Sequence, residues 1–143
     1  MSRYDTLETN VARIIRDDPT ASALVASDAI FTRREPQHRG RNLGRAPMVE
    51  IEVTGRSREM LCDDADLVLA DLTITVSSKT LPLLNDTADA IQAALRRVEN
   101  LNVPEDVGAL NDWTIRTSRS VVGETQRMEI VVAVRLAVPT TEV

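Results

Sequence analysis

Few residues in this 143-residue chain have a type and spacing that suit catalysis or metal binding. His38 is the only histidine, so a Ser-His-Asp triad would have to use it, and no oriented partner is evident beside it. Cys62 is the only cysteine, which leaves no thiolate metal cluster and no internal disulfide. Asp63, Asp64 and Asp66 lack the glycine and the terminal glutamate of a calcium-binding EF-hand loop. We therefore expect no cofactor, no functional metal and no enzyme activity.

The familiar phosphate and hydrolase motifs are also missing from the sequence. Gly40-Arg-Asn-Leu-Gly44 has two glycines but no Lys-Ser or Lys-Thr after them, so it is not a P-loop. The chain contains no G-x-S-x-G, no H-E-x-x-H and no G-x-G-x-x-G. These absences favour a binding or structural role.

Composition narrows the class of protein further. The net charge of −5 and the three aromatic residues disfavour general nucleic-acid binding, which needs basic surfaces and stacking platforms. The 43% hydrophobic content suits one folded domain over residues 1–143, with a flexible C-terminal tail from about residue 139. No apolar run reaches the roughly 18 residues of a spanning helix, and the first ten residues lack a signal-peptide segment. We expect a soluble protein used inside a cell, without a membrane partner.

Charge is concentrated in two stretches of the sequence. Residues 33–46 carry five arginines and one glutamate, a net charge of +4, whereas residues 56–66 are acidic. The basic stretch can be a solvated loop, a loop that orders on an acidic neighbour, or a phosphate contact. The two stretches can pair within a monomer or across an interface. The candidate intersubunit or connector interface comprises Arg33, Arg34, Arg39, Arg41, Arg45, Glu59, Asp63, Asp64 and Asp66.

The strongest structural pattern is an amphipathic helix over about residues 80–100. Apolar residues recur there in steps of three and four, which places them on one helical face. Thr80 is a plausible N-cap, and Pro82 is tolerated in the first turn, where its missing N–H has no helical partner. The predicted apolar stripe is Leu84, Ala88, Ile91, Leu95 and Val98.

The N-terminal third predicts more helix. Residues 4–17 form a second amphipathic helix, which Pro19 ends. Asp5 and Glu8 have the spacing of a capping box at its start. A short helical turn over residues 21–26 and a short strand over Ala29–Thr32 follow.

Four longer strands complete the predicted elements. Residues 47–54 alternate between apolar and polar, and Gly55 ends that strand, so residues 56–66 form a polar connection. Strands follow over residues 67–78, 113–122 and 126–138, the last two joined as a hairpin. The final strand is apolar on both faces, so it is central in the sheet or covered on both sides. The expected fold class is α+β, a mainly antiparallel sheet with the long helix packed on it.

The order of these pieces resembles the tail terminator (tail completion) proteins of long-tailed phages and related tailed viruses. The resemblance rests on four segments and covers about Tyr4 to Val138. They are the Asp28-Ala-Ile-Phe31 segment after the first helix, the strand Pro47-Met-Val-Glu-Ile-Glu-Val53, the strand Asp71-Leu-Thr-Ile-Thr-Val76 that leads into the main helix, and the closing hairpin of residues 113–122 with 128–138.

The resemblance implies a structural virion protein of the tail or neck, assembled in the host cytoplasm. Such proteins form a hexameric ring on the head-proximal end of the tail tube, stop tube polymerisation and join the tail to the head-side connector or stopper protein. Genomic DNA passes through their channel without specific binding. Two alternatives remain open. One is another neck or tail-tube protein of a tailed virus, and the other is a small cellular ligand-binding or regulatory α+β module.

Overall fold

In the described part of the chain a five-stranded mixed sheet carries three helices, which confirms the α+β fold class with mainly antiparallel strands. The structure is a computed structural model that describes residues 3–26, 29–32, 47–97, 111–122 and 125–139. In chain order the elements are α1 (Arg3–Asp17), α2 (Pro19–Leu24), β1 (Ile30–Thr32), β2 (Met48–Cys62), β3 (Ala65–Ser78), α3 (Leu81–Arg96), β4 (Asn111–Val122) and β5 (Thr125–Pro139). The strand order is β1-β2-β3-β5-β4. Only β1 pairs in parallel; the other three pairings are antiparallel.

Helix α3 forms where the periodicity predicts it and buries the predicted stripe. Leu84, Ala88, Ile91 and Leu95 are fully buried, and Val98 lies outside the described residues. Each fully buried Leu or Ile side chain contributes about 1.5–3 kcal/mol of transfer free energy. Thr80 occupies the N-cap position, but its side chain forms no capping hydrogen bond. No helix in the described ranges is long and apolar enough to cross a membrane.

The predicted capping box of α1 is wrong. The helix begins at Arg3, so Asp5 lies inside it, and Glu8 points into the core instead of back toward the helix start. Position 8 shares a helical face with buried Val11 and Ile15, at spacings of three and seven residues. The Glu8 carboxylate is fully buried there and accepts a hydrogen bond from the backbone N–H of Val53.

Helix α2 is tied to α3 through one carboxylate. Asp18 is the N-cap of α2, and its Oδ2 accepts a hydrogen bond from the Ala21 N–H at 2.9 Å. Its Oδ1 lies 2.7 Å from Nη2 of Arg97, the C-cap residue of α3. Pro19 occupies the first turn of α2 and so ends α1, as the sequence predicts. The start of one helix is thereby fixed to the end of another.

The predicted end of β2 at Gly55 is wrong, and so is the polar connection that was to follow. Strand β2 continues to Cys62 and pairs with β3 along its whole length, around a turn at Asp63 and Asp64. The pairing register shifts between Val53 and Gly55, which is a β-bulge. Glycine is common at such irregularities, where it leaves room for a close approach. A Cβ added at Gly55 would lie 3.0 Å from Asp71 Oδ2.

Strand β5 is central, as the apolar residues on both of its faces predict. It lies between β3 and β4. On the helix-covered face Ile130, Val132 and Val134 are buried, whereas Val131 and Ala133 on the opposite face are only half-buried. Within the described residues the helices thus cover one face of the sheet.

Candidate interaction surface

The most prominent exposed feature is the far end of the β2–β3 hairpin, residues 56–66, which we call the hairpin arm. Every side chain that the structure describes from Arg56 to Asp64 is exposed. Met60 is 80% exposed, an unusual position for a large apolar side chain. The arm is held by cross-strand pairs such as Arg56 with Ala70 and Met60 with Asp66. It is a regular hairpin, so its side chains have defined positions.

The predicted acidic residues of the arm differ in whether they form an ion pair. Asp66 pairs with Arg58 across the hairpin, with 2.6 Å between Oδ2 and Nε. Glu59 and Asp63 are exposed and form no ion pair with any residue that the structure describes. Asp64 accepts a hydrogen bond from the Cys62 thiol, with 3.1 Å between Sγ and Oδ1. We call Glu59, Asp63 and Asp64 the acidic tip.

The predicted basic partner of this tip falls outside the described residues. All five candidate arginines fall in residues 33–46, outside the described residues, so their pairing with the acidic tip stays a prediction. Sequence reasoning missed Met60, although one methionine beside Leu61 in an otherwise polar run was a usable signal. It also assigned Glu8 to a capping box, although its position on the apolar stripe of α1 could have indicated burial.

The sheet face opposite the helices is a second, broader surface. Glu52 and Glu129 are exposed there, with half-buried Thr73 and Thr75 between them in the register. The Thr54 and Thr73 hydroxyls are hydrogen-bonded at 2.9 Å. No helix of the described chain covers this face. A mixed polar face of this kind suits solvent or a hydrated partner better than a second core.

The described residues also include a groove, which we compare with the sites that bind small ligands and metal ions. A groove of about 520 Å³ between α2 and α3 is open to solvent and is lined by Thr20, Ala23, Leu24, Asp86, Asp89 and Ala90. Within the described ranges no three His, Cys, Asp or Glu side chains form a group that could hold a metal ion. Of the three candidate cation residues, Asp64 accepts the hydrogen bond from Cys62 and Asp66 pairs with Arg58, whereas Asp63 is exposed.

Comparison with known proteins places the fold. No family model matches the chain, and no curated protein matches it. Among the solved structures the chain is similar to one chain of the "Virion of native gene transfer agent (GTA) particle". The two chains are 14% identical, with a TM-score of 0.58, and the match covers 94% of this chain and 97% of the other. At this level of identity, the similarity shows that the two chains share a fold over nearly their whole lengths.

Proposed function

We propose that this chain is a structural protein of a tailed, phage-like virion. The observation that carries the proposal is the whole-chain similarity to a chain of a gene transfer agent particle. The match covers 94% of this chain and 97% of the other. The order of strands and helices that resembles tail terminators supports the same class of protein.

The specific role we propose is that of a tail terminator. Six copies form a ring on the head-proximal end of the tail tube, end tube polymerisation and present a surface to the head-side connector or stopper. The partners are further copies of the chain, the tube protein and the connector, while DNA passes through the channel. The hairpin arm and the outer edge of β4, which no described strand covers, support this role, because a ring subunit needs two different contact surfaces. The role needs neither a cofactor nor catalysis.

Another neck or tube protein of the same virion type is the nearest alternative, since such proteins also assemble into rings. A small cellular ligand-binding or regulatory module is the second alternative. Among the described residues, the groove between α2 and α3 is open to solvent, unlike the enclosed pockets that bind most small ligands.

The test is to polymerise the cognate tube protein with increasing amounts of the purified chain and to measure tube lengths by negative-stain microscopy. A terminator shortens the length distribution as its dose rises, because each capped end stops growing. A tube protein would instead add to tube mass. Lengths that do not change with dose, together with no ring at tube ends, would remove the terminator role.

A further inference from the structure

Strand β4 leaves one long edge of the sheet open. Its partner β5 pairs with it from Asn111 to Val122 without a register shift, and no strand of the described chain lies on its other side. The described side chains from Thr117 to Val121 are exposed, and Val121 is 59% exposed. Backbone groups along such an edge are ready to pair with another strand.

This edge lacks several of the features that usually protect an edge strand. Natural sheets protect long edges with charged side chains, above all lysine, and with proline, a bulge or a short strand. The β4 sequence, NDWTIRTSRSVV, contains neither proline nor lysine, is twelve residues long and pairs without a bulge; its charged residues are Asp112, Arg116 and Arg119. A regular edge of this length can bind a further strand.

The short loop between β4 and β5 determines which backbone groups of β4 bond to β5 and which point away from it. Val122 pairs with Thr125 across a two-residue loop, and such flanking residues exchange hydrogen bonds in a hairpin. Hydrogen-bonded and non-hydrogen-bonded pairs alternate along an antiparallel ladder. Ser120 and Ser118 therefore direct their backbone groups to β5. Thr117, Arg119 and Val121 direct theirs to the open edge.

A separate contact confirms this alternation on the far side of the sheet. The same alternation, carried through β5 and β3 by the observed registers, leaves the Val53 N–H pointing away from β3. Glu8 Oε2 accepts that N–H at 3.1 Å. The hydrogen bond between Glu8 and Val53 therefore supports independently the conclusion that alternate amides of β4 point away from β5.

The opposite edge of the sheet is closed over its first half. Strand β1 has three residues, all buried, and Arg16 Nη2 donates a hydrogen bond to the Ile30 carbonyl at 2.6 Å. Just beyond β1, the Glu8 carboxylate accepts a hydrogen bond from the Val53 N–H. Past that point β2 continues to Cys62 as part of the hairpin arm, and no strand of the described chain pairs with its outer edge. Among the described residues, the arm is therefore the strand segment left uncovered at this edge.

We propose that the open edge of β4 binds the arm segment of β2 in a second copy of this chain. The two strands run antiparallel within one sheet, so a copy in the same orientation continues the antiparallel ladder. The charges are complementary as well. Residues 117–121 carry Arg119 and no acid, whereas the arm has four acids against two arginines, a net charge of −2. The contact joins two different surfaces, so successive copies can add through the same contact. That they close into a ring rests on the proposed function.

A proline scan of the edge tests the contact. Thr117→Pro removes an outward N–H, a position where an edge strand tolerates proline, while Ser118→Ala leaves every backbone group in place. Light scattering of the free full chain over a concentration series measures assembly, and circular dichroism verifies folding. We expect the unmodified chain and Ser118→Ala to assemble and folded Thr117→Pro to remain monomeric. Assembly of Thr117→Pro at unmodified levels, or an unmodified chain that stays monomeric, overturns the contact.

If Thr117→Pro does not fold, amide-resolved hydrogen exchange on the unmodified chain tests the contact between β4 and the arm. On assembly, exchange should slow at the amides of Thr117, Arg119 and Val121 and stay unchanged at Ser118 and Ser120, which β5 already protects. Unchanged exchange at the three outward amides in an assembled sample overturns the contact. The tube-length assay is separate, so a terminator that assembles through other surfaces would still be recognised.

Discussion

Glu8 Oε2 accepts a hydrogen bond from the backbone N–H of Val53 at 3.1 Å, across 45 residues of sequence. Both residues are buried, and Val53 is the last β2 residue before the bulge. The last pair between β1 and β2 is Thr32 with Ile51, and no strand of the described ranges offers a partner to this N–H on that side. A side chain from α1 thus completes the hydrogen bonding of a sheet edge and fixes the helix against β2.

Removing this acceptor should destabilise the fold. Glu8→Ala leaves a buried N–H without its partner, at a cost of about 1–3 kcal/mol in the free energy of unfolding. Glu8→Gln retains an amide oxygen that can accept and should cost less. Urea unfolding followed by circular dichroism measures both. Arg13→Ala, on the exposed side of the same helix, is the matched control and should stay within about 0.5 kcal/mol. A Glu8→Ala loss as small as the control's would contradict this role.

One neighbour crowds Gly55 at the bulge. A Cβ at this position would lie 3.0 Å from Asp71 Oδ2, so Gly55→Ala should cost about 1 kcal/mol through overpacking. Asp71→Ala removes Oδ2 and Cγ and leaves only the Asp71 Cβ, 3.4 Å away. In that background Gly55→Ala should therefore cost clearly less, and a double-mutant cycle by chemical unfolding measures the difference. Equal costs in both backgrounds would mean that backbone conformation, and not Asp71, selects glycine.

Asp18 makes two separable contacts, the cap of α2 and the ion pair with Arg97. Asp18→Ala removes both and should destabilise by about 0.5–2 kcal/mol, chiefly through the lost cap. Asp18→Asn keeps an oxygen for the Ala21 N–H, so it should recover most of that loss. The Arg97 end of the pair is more than half exposed and should contribute less than about 1 kcal/mol. Thermal unfolding ranks the variants, and an Asn variant as unstable as the Ala variant would assign the effect to charge.

The acidic tip should contribute to assembly more than to stability. Changing Glu59, Asp63 and Asp64 together to lysine leaves the Arg58–Asp66 pair in place, so the hairpin should fold, while assembly or connector docking weakens. Single exposed pairs contribute only about 0–1 kcal/mol, which is why the change must be multiple. Sedimentation velocity and infectivity are the readouts.

Reversing Arg39, Arg41 and Arg45 to glutamate is the complementary change and should weaken the same steps. Combining both sets should restore part of the loss if the two regions pair. Unchanged assembly and infectivity in both triple variants would exclude charge pairing as the contact.

The sequence predicted best where local periodicity and burial coincide. The stripe of α3 and the alternation of β5 follow from contacts with one core, so Leu84, Ile91 and Ile130 are buried as expected. The hairpin arm was missed because it is exposed around residues 56–60, which leaves no apolar alternation to read. Its strand character comes from pairing with β3, a long-range relation that local periodicity does not contain. Gly55 compounded the error, since a glycine within a bulge and a glycine that ends a strand look the same in sequence.

The candidate site was predictable only in part. The acidic residues are exposed on one hairpin, as an interface requires, but Asp66 is already paired within the arm. Met60 and the outward amides of β4 depend on register and strand order, which appear only once the sheet is assembled.

The most direct measurement of the central claim is the position of this chain on the particle. Immunogold electron microscopy of purified tails, with and without heads, locates it. For a tail terminator we expect label at one end of each tube, on the head-proximal side, and at the neck of complete particles. Label along the whole tube, label on the head shell, or tails that carry none of the chain would contradict the terminator role.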